Sequence, residues 1–322
     1  MKSEIRRVQV TGRGSYIVSL PKSWVESVDL KRGEPVFISR SIDGSLTLAP
    51  RKASSPPEKR CSQVTLAEGE SLESLMRKAI ALYLNGSNTI SLRSRDGRFT
   101  PDQRNYIRDV VRTKLVGVEI VTELPDTVTL QVLLGYPEIA VDRALQRILA
   151  ITMAMHGDVI AALENLNKGV AGDIAKMDDE VDRFSFYIIR QLKTAVQDQQ
   201  LIPEIGLAGP KDCLGFRLIT KSIERIADHA TNIARNIIAM EGPMPPGLYS
   251  RIRVMNSFAI TLLKDVEKAL FSRDYALAER IIERRKGIEA MEEEAIKTLL
   301  AERLTPGDLS KLRIILESVR RT

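Results

Sequence analysis

Aromatic residues are scarce in this chain of 322 residues, and cysteine and histidine are almost absent. Phe, Trp and Tyr make up 5% of the sequence, and there are 2 Cys and 2 His. So few aromatics favour helices packed through Leu, Ile and Ala over a β-sandwich. Cys61 and Cys213 lie far apart and form no motif, so we expect two reduced thiols.

Long apolar runs are also missing. No stretch approaches the roughly 20 apolar residues that a membrane-spanning helix needs. The start, MKSEIRRVQV, lacks the apolar core of a signal peptide. We therefore expect a cytoplasmic protein that does not insert into membranes.

The positive charge of the chain is confined to its beginning. Residues 1–60 hold 12 of the 48 Lys and Arg and 6 of the 42 Asp and Glu, so the remaining residues are balanced at 36 of each sign. The net charge of +6 thus belongs to the first fifth of the chain. A basic module joined to a neutral body indicates a polyanion partner for the module.

Changes in pattern divide the chain into several segments. Short strands and turns are predicted for residues 1–50, and a Pro/Ser-rich linker for residues 51–60. Strand-like and helical stretches then alternate, which predicts a small α/β domain over residues 61–136. Beyond this point the pattern is purely helical, with breaks that predict one three-helix bundle over residues 138–242 and a second over residues 247–322.

The two helices of the α/β domain carry clear signals at both ends. Ser71 and Thr100 are predicted N-caps, and Pro101 suits the first helical position. Gly86 and Gly117 predict the helix ends. The domain lacks a glycine-rich phosphate loop, which argues against a nucleotide site, and we expect no catalytic residues there.

The helical region contains a weak internal repeat. Asp158-Val159 recurs as Asp265-Val266, and Ala162-Leu163 recurs as Ala269-Leu270. Further along, Ile219, Ser222 and Arg225 correspond to Ile315, Ser318 and Arg321. Two tandem three-helix bundles are the simplest interpretation of this order.

The N-terminal segment, RGSYIVSLPKSWVESVDLKRGEPV, is similar to the AbrB/SpoVT swapped-hairpin family. A strand feeds a short helix that begins at Pro21, and a Leu-x-x-Gly-Glu turn follows. The resemblance covers about residues 6–50 and implies half of a β-barrel that folds only as a homodimer, because so few short strands cannot bury a core alone. It also implies DNA binding through basic residues, and the candidates are Arg6, Arg7, Arg13, Lys22 and Arg32. The alternative is a dimerisation module with a solubilising basic surface. Trp24 is expected in the core of this module.

Two pairs of carboxylates stand out in the first bundle. Asp178 and Asp182 are four residues apart, as are Glu224 and Asp228, so each pair lies on one helical face. Two such pairs on facing helices could supply four hard oxygen ligands, which suit iron, manganese or magnesium better than zinc. The alternative is a solvated acidic face with ordinary salt bridges. His156 and His229 are expected to be polar or packing residues.

The surrounding sequences, MDDEVDRFSFYIIRQL and KSIERIADHATNIARNI, resemble the signature helices of the PhoU family. The resemblance covers roughly residues 138–322 and implies tandem bundles that bind a multinuclear metal cluster. Carried over to this chain, the ligands are Asp178, Asp182, Glu224 and Asp228, with iron expected first and zinc, manganese or magnesium as alternatives.

The repeat predicts that only the first bundle holds a complete metal site. Asp182 corresponds to Glu289, which keeps a carboxylate, but Asp178 corresponds to Arg285 and Glu224 to Arg320. Two cations facing one carboxylate would repel a metal ion.

The resemblances together imply a non-enzymatic regulator of phosphate uptake. The helical body would sense phosphate status through contact with the ATPase subunit of the phosphate transporter or with a signalling partner. The basic module would dimerise and bind DNA. Two alternatives stay open: a metal-dependent phosphoesterase built on the carboxylates, and a dimeric scaffold that does not bind DNA.

Overall fold

The computed structural model describes residues 4–12, 14–40, 44–50, 60–133 and 139–322. The chain divides into two compact units, Met1–Lys59 and Arg60–Thr322. Most of the predicted linker, residues 51–59, lies outside the described residues, as does Arg13.

The first unit consists of two hairpins around a short helix. Strands β1 (Gln9–Thr11) and β2 (Ser15–Ile17) pair antiparallel, as do β3 (Val36–Arg40) and β4 (Leu46–Pro50), and helix α1 (Lys22–Ser27) lies between the hairpins in sequence. Gly33 closes the predicted turn with φ 90°, a conformation that favours glycine. These are the short strands and the Pro-started helix that the sequence predicts.

No residue in the described part of this first unit is buried. Trp24 is only half-buried, and large apolar side chains are open to solvent, including Ile5 (97% exposed) and Tyr16 (77%). The described residues of a single copy therefore form no buried core.

The second unit begins with the α/β domain. Its sheet has the order β5 (Cys61–Leu66), β6 (Thr89–Ser94), β8 (Thr127–Val132), β7 (Val118–Glu123). Strands β5 and β6 are parallel, whereas β8 runs antiparallel to both β6 and β7. Helices α2 (Leu72–Leu84) and α3 (Pro101–Lys114) pack on the sheet through an apolar core that includes Leu75, Leu92 and Ile107.

The ends of these helices follow the sequence signals. The hydroxyls of Ser71 and Thr100 accept hydrogen bonds from the backbone N–H groups of Ser74 and Gln103. Gly86 and Gly117 adopt positive φ at the predicted helix ends.

Eight helices follow, and they form two three-helix layers. The first layer contains α4 (Val141–Glu164), α5 (Lys168–Gln197) and α7 (Pro210–Ala239), with the short α6 (Leu201–Glu204) in the connection. The second contains α8 (Pro246–Ser272), α11 (Pro306–Arg321) and a broken middle helix, α9 (Tyr275–Arg285) and α10 (Gly287–Ala301). One continuous hydrophobic core runs through both layers.

Buried polar groups join the two layers. His156 on α4 is fully buried, and its Nε2 lies 2.9 Å from the carbonyl oxygen of Ile226 on α7. The amide of Asn256 on α8 lies 3.3 Å from both the imidazole Nδ1 and the carbonyl oxygen of His156. In the described part of the chain, no helix is long and apolar enough to cross a membrane.

Candidate functional site

The four predicted carboxylate ligands lie on two packed helices of the first layer. Asp178 and Asp182 are on α5, and Glu224 and Asp228 are on α7. We use the term acidic face for these four residues together with Asp179, which lies beside them on α5.

Asp178 is the most strongly perturbed carboxylate of the acidic face. Its Oδ1 atom is buried and has no hydrogen-bond partner. Burial raises the pKa of Asp178 to about 7, and repulsion from Asp182 and Asp228 acts in the same direction. A buried oxygen without a partner, among like charges, is an arrangement that a cation would stabilise.

The two carboxylates on α7 differ: among the described ion pairs, Glu224 is paired with a lysine and Asp228 is not. Lys221, one turn before Glu224, forms an ion pair with it. Asp228 retains an exposed surface, but the packed helices beside its carboxylate desolvate it in part. This desolvation, followed by repulsion from Glu224, raises the pKa of Asp228.

A lysine of the α/β domain completes the electrostatics of the acidic face. The ammonium of Lys114, the last residue of α3, lies 2.7 Å from Asp182 Oδ2 and 2.7 Å from Asp179 Oδ1. Partial burial acts to lower the pKa of Lys114, but the hydrogen bonds to these two carboxylates raise it above its usual value. Lys114 is therefore a positively charged counter-ion of Asp182 and Asp179.

The donor set of the acidic face suits a hard cation, although the carboxylates are not gathered as a finished centre. Repulsion links Asp178 with Asp182 and Asp228, so these three share one electrostatic site. Lysines hold Asp182 and Glu224. Among the described residues, no group of three or more His, Cys, Asp or Glu is arranged to hold a metal ion. The residues fit a metal provided that the lysine contacts give way.

Sequence reasoning missed Lys114 and Asp179. The ion pair from Lys114 to Asp182 spans 68 residues of sequence and joins two domains, so no local spacing signals it. Asp179 lies one position off the i, i+4 pattern and was not singled out. A lysine at the C-terminal end of a helix is ordinary because it complements the helix dipole.

The four described DNA-binding candidates are all exposed. Arg6 forms an ion pair with Glu4 at 2.5 Å, and Lys22 lies 3.6 Å from Glu26. Arg7 and Arg32 enter no ion pair within the described part of the unit. Arg13 lies outside the described residues.

An apolar groove of about 540 Å³ runs beside the acidic face, between α5 and α7. Asp182 and Glu224 line one part of it, and Phe186, Ile189 and Leu192 are among its apolar walls. Leu214 and Leu218 on α7 are 70% and 71% exposed. The groove places a hydrophobic surface next to the charged site.

Comparisons with known families identify two modules. Residues 145–237 match the PhoU domain, and residues 9–56 match the family described as antidote-toxin recognition MazE, bacterial antitoxin. Both sequence resemblances are confirmed: the helical body is PhoU-like and the N-terminal module is of the MazE/AbrB type.

One curated relative is the phosphate-specific transport system accessory protein PhoU homolog of Aquifex aeolicus, 29% identical over 125 residues. The match covers 38% of this chain and 54% of that protein, so the chain spans about half the length of this relative.

Two solved structures are similar to part of this chain. PhoU from Pseudomonas aeruginosa is 19% identical with a TM-score of 0.49, over 56% of this chain and 87% of that one. The phosphate transport system regulatory protein PhoU from Streptococcus pneumoniae is 14% identical with a TM-score of 0.48, over 56% and 85% of the two chains.

Proposed function

We propose, on the premise that residues 145–237 form a PhoU domain, that this chain regulates phosphate uptake and acts through DNA. The named role of the Aquifex relative, an accessory protein of a phosphate-specific transport system, supports the first half. The N-terminal module supports the second half.

The observation that carries the DNA proposal is the location of the charge. The net excess of positive charge lies within residues 1–60, and the described candidates Arg6, Arg7, Lys22 and Arg32 are exposed. Exposed Lys and Arg bind the phosphate backbone and release its counterions. Two copies of the module would double this charge.

The test is retardation of promoter DNA by the full chain at increasing salt. Binding should fall steeply between 50 and 200 mM salt, by about 10²-fold or more if several phosphates are contacted. An Arg6→Ala, Arg7→Ala, Arg13→Ala variant should lose binding and keep its oligomeric state. Binding that persists through both treatments would contradict the proposal, and no retardation even at low salt would favour the dimeric scaffold.

We also propose that the acidic face holds a metal ion, with Asp178, Asp182, Glu224 and Asp228 as its ligands. The unpartnered buried oxygen of Asp178 supports this proposal. The bound cation would neutralise the mutual repulsion of the carboxylates. Iron is the first candidate, and manganese, magnesium or zinc are alternatives.

The metal proposal is tested by metal analysis of purified variants. An Asp182→Asn, Glu224→Gln double variant should lose bound metal, because it removes one ligand from each helix. A Glu289→Gln variant is the matched control in the second layer and should retain it. Equal loss in both variants would refute the assignment to the first layer.

The proposed regulator is not an enzyme, and its partners include a transporter component. Apart from the four proposed metal ligands, the sequence carries no motif that supplies a nucleophile or base for hydrolysis. Turnover of an aryl phosphate by metal-loaded protein would favour the phosphoesterase instead. Co-purification with the transporter's ATPase subunit at high phosphate would support a partner role.

A further inference from the structure

We infer that Lys114 is the tethered counter-cation of the acidic face, and that a divalent metal ion must displace it in order to bind. The inference rests on the metal site proposed above and concerns a residue outside the PhoU domain. A residue of the α/β domain would therefore compete with the metal ion for the acidic face.

The geometry of Lys114 gives the first step. Its ammonium lies 2.7 Å from a carboxylate oxygen of Asp182, a proposed ligand, and 2.7 Å from one of Asp179. The lysine side chain is 28% exposed and that of Asp182 24%, so water screens this pair only in part. The lysine therefore occupies the space and satisfies the charge that a metal would take at Asp182.

Two cations cannot share this position. An ammonium and a divalent ion within a few ångströms repel each other, and the repulsion is stronger in a partly desolvated site than in water. A metal that uses Asp182 must move the ammonium of Lys114 away. The competition is reciprocal by linkage. If Lys114 weakens metal affinity by a given factor, bound metal weakens the association of Lys114 with Asp182 by the same factor.

The consequence depends on how the α/β domain is attached to α5. Lys114 is one attachment, near Asp182. A second lies eight residues further along α5, about 12 Å away at the rise of an α-helix. There the buried guanidinium of Arg190 donates to the carbonyl oxygens of Tyr83 and Ser87 at the end of α2.

The second attachment does not involve the acidic face. Lys193 also bonds Asn85 there, and Arg60 bonds Gln197 at 2.6 Å. Release of Lys114 would therefore remove the charged attachment at the end of α3 while α2 stays docked. Metal binding would thus loosen α3 within the α/β domain.

The test is a Mn²⁺ titration of the full-length protein, followed by the electron paramagnetic resonance signal of free Mn²⁺. Lys114→Met keeps the aliphatic stem and removes the charge, and should lower the Kd by about tenfold or more. Asp179→Asn removes one carboxylate partner of Lys114 without removing a proposed ligand, so Lys114 should hold Asp182 more tightly and the Kd should rise. Lys78→Met, which breaks the Lys78–Glu70 pair within the α/β domain, is the matched control and should leave the Kd unchanged.

Hydrogen exchange of residues 101–114 in the wild-type protein gives a second readout, independent of any variant that folds poorly. Saturating Mn²⁺ should accelerate exchange in this segment. Equal Kd values in wild type, Lys114→Met and Asp179→Asn, or slower exchange with Mn²⁺, would overturn the competition while leaving the metal site standing. If neither wild type nor variants bind Mn²⁺, the proposed metal site itself fails, and the competition with it.

Discussion

At the scale of single residues, His156 makes the packing of the two helical layers sensitive to acid. Burial lowers the pKa of His156 to about 4 from an ordinary value of 6.5. Between these two values, an unfolded chain binds a proton at this histidine and the folded chain does not. Stability from this residue is therefore complete above about pH 6.5 and is lost progressively as the pH falls toward 4.

His156→Gln should destabilise the protein by about 1–3 kcal/mol at pH 7.5, because the hydrogen bonds at Ile226 and Asn256 are disturbed in a buried site. The difference between wild type and variant should shrink as the pH falls to 4.5, since only the wild type loses the histidine contribution. Urea unfolding at both pH values measures this. A difference that stays constant with pH would show that His156 does not titrate as proposed.

Residues also mark the limit of what the sequence predicted at the site. The i, i+4 spacing identified Asp178, Asp182, Glu224 and Asp228, and α5 does pack on α7. Lys114 could not be foreseen, because its partners lie in another domain. The electrostatic state of the site depends on that tertiary contact, so the sequence predicted the carboxylates but not their counter-ion.

At the scale of elements, Asp308 connects the start of α11 to the hinge after α7. Its carboxylate is 2% exposed and accepts hydrogen bonds from the backbone N–H groups of Glu241 and Gly242, at 3.2 and 3.0 Å. A side chain at Gly242 would place Cβ 3.0 Å from Asp308 Oδ2, so the carboxylate would have to shift by a few tenths of an ångström to admit it. One residue of the second layer thus fixes the connection between the layers.

Asp308→Ala should lower the free energy of unfolding by about 1–3 kcal/mol, because two backbone N–H groups lose their buried acceptor. Asp158→Ala changes an exposed aspartate and should stay within about 0.5 kcal/mol of wild type. Thermal unfolding of the two variants measures the contrast. Equal destabilisation would mean that the hinge bonds contribute nothing specific.

Element boundaries were predictable where a local signal existed. Ser71, Thr100 and Pro101 start their helices as the sequence indicates. The interruption at Lys286 between α9 and α10 was not foreseen, and neither was the short α6. At the interruption, Gly287 lies beside the ring of Phe258 on α8, a tertiary neighbour that no local pattern signals.

At the scale of the whole molecule, the exposed apolar residues of the N-terminal unit indicate a second copy. Val10 and Tyr16 lie directly opposite each other in the β1–β2 pair, and they are 61% and 77% exposed. Directly opposite side chains share one face of a hairpin. An exposed apolar face on a unit whose described residues include none that is buried is expected to pack against its equivalent in a homodimer.

A Val10→Asp, Tyr16→Asp variant should convert the full chain from a dimer to a monomer of 36.0 kDa. Light scattering after size exclusion measures this mass. The matched control is Val254→Asp, Leu300→Asp, which places the same charges on exposed apolar positions of the helical body. If only the control variant lost the dimer, the interface would lie on the helical body and not on the N-terminal unit.

None of the described residues of the N-terminal unit is buried, which makes its folding depend on the concentration of the protein. A module that completes its fold only by pairing has a folded population that depends on the amount of protein present. Below the dissociation constant of the proposed dimer, a cell would contain intact helical bodies with no assembled reader of DNA. Well below that constant, assembled readers would increase with the square of the chain concentration. The copy number of the protein would then determine how much of it can bind DNA.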